Sequence, residues 1–296
     1  MDVSGLQPST RSDAIITALE SLGGWGTGAF QVDFAITLLT ADASTPVRPV
    51  SPSNVDDYCY NGPDCEAVPF AMPLPADGNT EGSADYSCNN ADDDCHVLVH
   101  DTAHHLLYEL YKATGTANGV ETTGAYKWDL TKLYPETLRG DQCTSADAAG
   151  LPIAALLVTA DEVAAGDVGH AIRFVLPNAA MKALVYVRPA THAGAPSSNN
   201  ANAPPYGVRF RLKPSFAETP YNPAQRVVLQ ALKKYGMILS DGGKVPLTFG
   251  DDRLSAHKWA DLGVASDSFS AVAVSDFEVV DLGAEVTLTY DCVRNP

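Results

Sequence analysis

The sequence predicts a mainly β fold, a β-sandwich or jelly-roll-like body, and three observations point there. Ten short β-rich runs follow one another after residue 94, among them "HVLVHD", "LLYELYKA", "AALLVTA", "HAIRFVLP", "VRFRLKP" and "EVTLTYDC". Turn residues separate them, where alternating βαβ units would place long helical patterns. One well-defined amphipathic helix interrupts the series.

The first element is a helix in "SDAIITALESLGG", where Ser12 is placed to cap it, Ile15, Ile16, Leu19 and Leu22 recur at helical spacing, and Gly23 and Gly24 end it. Residues 47–94 are rich in Pro, Asp, Asn, Ser and Gly and read as an irregular segment pinned by the small loops "CYNGPDC" and "CNNADDDC". The expected organisation is an amino-terminal part, residues 1–94, packed on a β-sandwich domain, residues 95–296, as one compact unit. A short helical turn at "DEVAAG" precedes the strand "HAIRFVLP". The clearest element is "NPAQRVVLQALKKYG", with Asn222 as cap, Pro223 in the first turn and Gly236 as stop. Its Ala224, Val227, Val228, Ala231, Leu232 and Tyr235 form one apolar face, which must lie on a sheet.

Composition restricts the partners. The 296 residues carry 36 acidic against 19 basic side chains, a formal charge of −17, which opposes attraction to nucleic acid or anionic membranes. The longest apolar run, "LPIAALLVTA", is about half a membrane-spanning helix, so no membrane insertion is expected. Six cysteines without paired C-x-x-C spacing read as disulfides, the natural pairing being Cys59–Cys65, Cys88–Cys95 and Cys143–Cys292, although six cysteines allow about 15 connectivities. That usage suggests an oxidising compartment, secreted or periplasmic. The opening "MDVSGLQPS" has neither the basic start nor the apolar stretch of a signal peptide, so the expectation is a mature form.

No G-x-S-x-G elbow, H-E-x-x-H, P-loop or dinucleotide fingerprint occurs. The remaining constellations are looser, and each has a structural reading beside the functional one. "CTSADAAGLP" and the following strand–turn–strand unit gather Asp147, Asp161, Glu162, His170 and Arg173. Such carboxylates could divide acid and base roles, with a histidine or arginine tuning them; equally, Asp147 could make a turn and Glu162 complement a helix start. In "VRFRLK" strict alternation puts Val208, Phe210 and Leu212 on one face and Arg209, Arg211 and Lys213 on the other. Those cations could hold acidic glycan groups or pair with acids on neighbouring strands. His192, in "RPATHAG" after a strand end, is placed where such folds expose ligands. The "HDTAHH" histidines read as a solvated hairpin tip. "NNADDDC" offers Asp92 and Asp94 as hard oxygen ligands for calcium, or as a solvated acidic turn.

The blocks "DVSGLQPSTRSDAII", "CHVLVHDTAHHLLYELYKA", "WDL", "TSADAAGLPI", "DEVAAGDVGHAIRF", "RPATHAG", "GVRFRLK" and "VVLQALKKYGMILSDGG", in this order and over nearly the whole chain, resemble a widespread, uncharacterised family of exported bacterial proteins. The resemblance implies a secreted, β-rich protein, often joined to other extracellular modules, and brings no reaction with it. The loops at Cys59–Cys65 and Cys88–Cys95 look like additions to the family pattern.

Two functional readings follow. One is a secreted carbohydrate-active enzyme, a hydrolase or lyase cleaving polysaccharide, with Asp147, Asp161, Glu162 and His170 catalytic and Arg173, His192, Tyr206, Arg209, Arg211 and Lys213 positioning substrate. It requires no cofactor, and calcium is an option. The other is a non-catalytic glycan-binding or cell-surface module in which Trp128, Tyr206 and Trp259 supply stacking surface.

Overall fold

The computed structural model describes residues 1–59, 62–89 and 94–295. The protein is mainly β. A six-stranded sheet runs in the order Val32–Ile36, Leu247–Gly250, Ile172–Leu176, Met237–Gly242, Arg209–Leu212, Phe277–Val280. It is mixed: Val32–Ile36 pairs parallel with Leu247–Gly250, and Ile172–Leu176 parallel with Met237–Gly242. Parallel neighbours need a crossover, and the second pair is connected through Arg209–Leu212 and helix α3 (Pro223–Lys234).

Helix α3 forms as its sequence demands. The Asn222 side chain accepts from the Gln225 backbone N–H while the Gln225 side chain returns to the Asn222 N–H, and Pro223 occupies the first turn. Gly236, at φ +71°, lets the chain turn into Met237–Gly242, and a Cβ there would fall against the Phe210 carbonyl. Val228, Leu229 and Leu232 are fully buried in the main core with Phe174, Phe210 and Phe277, each contributing about 1.5–3 kcal/mol. Helix α1 (Ser12–Ser21) adds Ile15, Ile16 and Leu19 to that core. Ser12 does not cap it: Arg11 is the cap residue, and the Ser12 hydroxyl accepts the Val279 N–H instead, tying the helix to the sheet edge.

The expectation of an irregular segment over residues 47–94 is corrected. Val47–Pro52 and Phe70–Pro73 are strands, joined by Val120–Thr122 and Thr114–Gly115 in a four-stranded sheet. Pro49 within the first strand and its single buried residue, Val50, hide the alternation that would announce it. A second four-stranded sheet, Leu38–Ala41, Val97–Asp101, Leu106–Tyr111 and Gly124–Asp129, shares with the first an apolar cluster of Leu39, Val50, Met72, Val97, Val99, Tyr108 and Leu110. Residues before 94 therefore supply strands to all three larger sheets, and position 94 marks no break in hydrogen bonding. Conversely, "AALLVTA" is not a strand but a 3₁₀ turn, Ala154–Leu156, followed by a single bridge from Val158.

The disulfides are Cys59–Cys65, Cys88–Cys95 and Cys143–Cys292. The third ties the middle of the chain to its end, so cross-linking is not confined to the amino-terminal part. No helix among the described residues is long and apolar enough to cross a membrane.

Candidate functional site

The loop "CTSADAAGLP" is held by its own small side chains. The Ser145 hydroxyl has the Asp147 and Leu151 carbonyls as acceptors for its one proton, the Leu151 contact being the shorter, and itself accepts the Asp147 N–H. Gly150, at φ +77°, passes so close to the Thr191 side chain that any Cβ would collide with it. This close approach docks the His192 loop. The backbone N–H groups of Thr191 and His192 both donate to the Ala149 carbonyl, and the Thr191 hydroxyl donates to the Cys143 carbonyl.

His192 is thereby oriented. Its Nδ1–H donates to the Ala148 carbonyl at 3.0 Å, which leaves Nε2 as the unprotonated nitrogen. Among the described residues Nε2 is buried without a partner, and burial, with the Ala148 bond opposing it, lowers the imidazole below its ordinary range. His192 lines a cleft of about 220 Å³ together with Asp64, Asp94, Asp241, Tyr111, Tyr126, Ser145 and Gly194.

Asp64 is 1 % exposed. Its Oδ1 accepts the Thr144 N–H at 2.7 Å, while Oδ2 has no partner among the described residues. Burial, only partly offset by the Thr144 bond and by Arg139 and Arg294, pushes its carboxyl up to about 6. Asp94 is also raised, by burial first, with Asp241 and Glu81 adding repulsion against the pull of His96. Among the described residues, five buried side-chain atoms lack a partner, and two of them, Asp64 Oδ2 and His192 Nε2, belong to residues that line this cleft.

Behind the cleft sits a buried ion network. Arg173 grips Asp147 through two bonds of 3.0 and 3.1 Å, and bonds Asp241 at 3.1 Å and the Thr248 hydroxyl at 2.7 Å. Burial pushes the Asp147 carboxyl well up, with Arg173 pulling against it. On Arg173, burial is outweighed by the facing Asp147 and Asp241, and the guanidinium stays charged. Asp147 is therefore a structural anchor: it is fully buried and does not line the cleft.

His96 forms a second buried pair. Its Nδ1 lies 2.6 Å from Glu81 and its Nε2 3.1 Å from the Ala146 carbonyl, so both nitrogens donate and the ring is an imidazolium. Burial opposes that charge, but Glu81 and Asp94 outweigh it and raise His96 to about 9. Because the folded value exceeds the ordinary ~6.5, this stabilisation is complete below about pH 6.5 and is lost as pH rises through 9. Denaturant unfolding at pH 6, 7.5 and 9 is expected to show falling stability, and Glu81→Gln is expected to flatten that slope; an unchanged slope would refute the assignment.

The other sequence-selected residues lie apart from the cleft. Asp161 accepts the Ala256 and His257 N–H groups and the His257 ring. Glu162 completes a capping box with Thr159 on helix α2 (Ala160–Ala165) and lies 3.2 Å from His170 Nε2. Arg209 donates to the Tyr235 carbonyl. Arg211 pairs with Glu278 on the adjacent strand and donates to the Val3, Ser4 and Leu6 carbonyls, and Lys213 donates to Ser275. The alternation in "VRFRLK" holds, but its cations serve local partners. Tyr206, 1 % exposed, is raised by burial and then by the Asp241 and Asp147 charges, and its hydroxyl lies against Gly194 at the cleft margin. Trp128 and Trp259 are buried too, so none of the three presents a ring face to solvent for stacking.

Asp92 lies outside the described residues. Among the described residues the metal-spaced trio is Asp64, Cys143 and Cys292, whose sulfurs are joined to each other and so cannot act as thiolate ligands. Asp64 and Asp241, which the sequence reading passed over, carried weak signals: one lies within a disulfide loop, the other precedes Gly242 and Gly243 at a strand end.

Comparison with protein-family models, curated proteins and solved structures finds no match for this chain.

Proposed function

We propose that this chain is a secreted glycan-cleaving hydrolase whose general acid is Asp64 and whose general base is His192. The observation that carries the reading is that two residues lining one cleft, Asp64 and His192, each hold a buried side-chain atom with no partner among the described residues. Leaving such groups unsatisfied costs about 1–3 kcal/mol each, a strain of the kind that functional sites retain. With its carboxyl near 6, Asp64 holds a proton at mildly acidic pH and can deliver it to a leaving oxygen; the neutral His192 Nε2 can take one from water. Asp147, Asp161, Glu162 and His170 take no part in this chemistry. The three disulfides support an oxidising compartment. The apolar cluster shared by the two four-stranded sheets supports a sandwich-like pairing of them.

The test incubates the protein with neutral, acidic and amine-bearing polysaccharides and follows reducing ends together with the absorbance of unsaturated products. Activity is expected to peak near pH 6 and to fall above it as Asp64 ionises. Asp64→Asn, which retains the Thr144 bond, and His192→Gln are each expected to lower kcat by about 10²–10⁴-fold with little change in Tm. Glycan affinity without turnover would assign the chain to the binding-module class instead, and unsaturated products would replace hydrolysis by elimination.

A further inference from the structure

The Cys143–Cys292 bridge differs from a purely mechanical cross-link in what stands beside it. A carboxylate oxygen of Asp64 lies within 4.8 Å of both sulfurs. Among the described residues neither of the other two bridges has an acid so placed. Asp64 is carried by the Cys59–Cys65 loop, and its Oδ1 is tied to the backbone N–H of Thr144, the residue after Cys143. Its Oδ2 is buried without a partner among the described residues. The Asp141 carboxylate, the nearest acid along the chain to Cys143, is instead bonded to Tyr186 and Arg188.

The two sulfurs are unequal. Cys143 is 1 % exposed, whereas Cys292 is half-buried between the exposed Asp291 and Val293. Thiol–disulfide exchange needs a thiolate with access to one sulfur and a stable departure for the other. Access favours attack on Cys292, which makes Cys143 the sulfur that departs. A thiolate released into that buried position is disfavoured by desolvation unless it gains a proton. The Asp141 carbonyl, 3.5 Å from Cys143 Sγ, is placed to accept the S–H so formed.

We propose that Cys143–Cys292 is a thiol-exchange site in which Asp64 is the proton donor to Cys143. An external thiolate attacks Cys292 Sγ and forms a mixed disulfide there. The Sγ–Sγ bond breaks, and Cys143 Sγ keeps its electron pair and takes the Asp64 proton, directly or across one water. A second thiolate then releases Cys292, so the bridge is reduced by two electrons and the external thiols are oxidised to their disulfide. In reverse, the Asp64 carboxylate takes the Cys143 proton as the bridge closes. This chemistry is separate from glycan cleavage and shares only Asp64 with it.

The groups around Asp64 set when it holds that proton. Burial raises its carboxyl to about 6, against the Thr144 bond and the Arg139 and Arg294 charges. Both guanidiniums give their carboxylate bonds to Glu66. The Tyr126 phenol, itself raised by burial, faces Asp64 from Gly124–Asp129, and His192, Asp94 and Asp241 line the same cleft. Proton donation is therefore present below about pH 6 and is lost above it as Asp64 ionises.

The experiment exposes the native, oxidised protein to dithiothreitol at pH 5, 6, 7 and 8, quenches with acid and a maleimide, and reads the opening of each bridge by peptide mass spectrometry. Cys88–Cys95, which also pairs a half-buried with a buried sulfur, meets the same thiolate, so the ratio of the two rates is free of the reductant's own ionisation. The rate of Cys143–Cys292 relative to Cys88–Cys95 is expected to fall at least about tenfold from pH 5 to pH 8. In Asp64→Asn that ratio is expected to be about tenfold below the parent's at pH 5 and level with pH. A merely structural Asp64 would instead leave a looser bridge that opens faster in the variant. With glutathione in place of dithiothreitol, the trapped mixed disulfide is expected on Cys292. A ratio indifferent to pH, unchanged or faster opening in Asp64→Asn, glutathione on Cys143, or a bridge that resists dithiothreitol in the folded protein would each overturn the proposal. No polysaccharide enters the experiment, which keeps its outcome independent of the hydrolase reading.

Discussion

Asp147→Ala is expected to lower unfolding stability by about 3–5 kcal/mol, the cost of removing one partner from a buried ion pair. The magnitude follows from geometry. Asp147 is fully buried, and both its oxygens accept from Arg173, itself 5 % exposed. Without Asp147 the guanidinium keeps only Asp241 and Thr248, and its charge is far from water. Urea denaturation with intrinsic fluorescence measures the loss. A variant of unchanged stability with abolished activity would reverse the assignment and restore Asp147 as a catalytic acid. Replacing both members, Asp147→Leu with Arg173→Met, is expected to recover part of the loss, since an apolar pair leaves no orphaned charge.

Serine at both Cys143 and Cys292 is expected to cost about 4–5 kcal/mol, the upper part of the range for disulfides because the bridged residues are 149 positions apart. The bridge joins the loop that carries Ser145 and Asp147 to the carboxy-terminal end of the chain, where Val293–Arg294 pairs with Gly140–Asp141. Its sulfurs also lie within 4.8 Å of the Asp64 carboxylate, so the variant is expected to slacken the cleft wall as well as the fold. Denaturant unfolding of the double variant beside the oxidised parent measures the first effect. A loss below about 1 kcal/mol would show that the strand pair and the backbone bonds around Asp147 hold this corner unaided.

How much was legible in the sequence varied with the range of the interaction. Helix α3 announced its cap, proline, apolar face and stop because those signals act within one or two turns. The strands Val97–Asp101, Leu106–Tyr111 and Arg209–Leu212 showed themselves through alternation or dense β-branched and aromatic content. Val47–Pro52 did not, since only Val50 turns inward and its pairing with Val120–Thr122 comes from some 70 residues away. The candidate site was less legible still. Asp147 and Arg173 were singled out together and do meet, but as an internal brace. Asp161 and Glu162 were singled out for their proximity in sequence and spend their carboxylates on His257, Thr159 and His170. The acids that line the cleft come from three distant segments around residues 64, 94 and 241, and no local pattern joins them.

By itself, the amino-acid sequence determined the β-rich class, the helix α3 and the plausible pairing of six cysteines, because each depends on chemistry between near neighbours or on simple adjacency. Only the folded chain decided which charges face water and which face one another. Burial, which leaves Asp64 Oδ2 and His192 Nε2 waiting for a partner and turns Asp147 into a brace, is a property of everything packed around a residue, and the residue's own segment does not encode it.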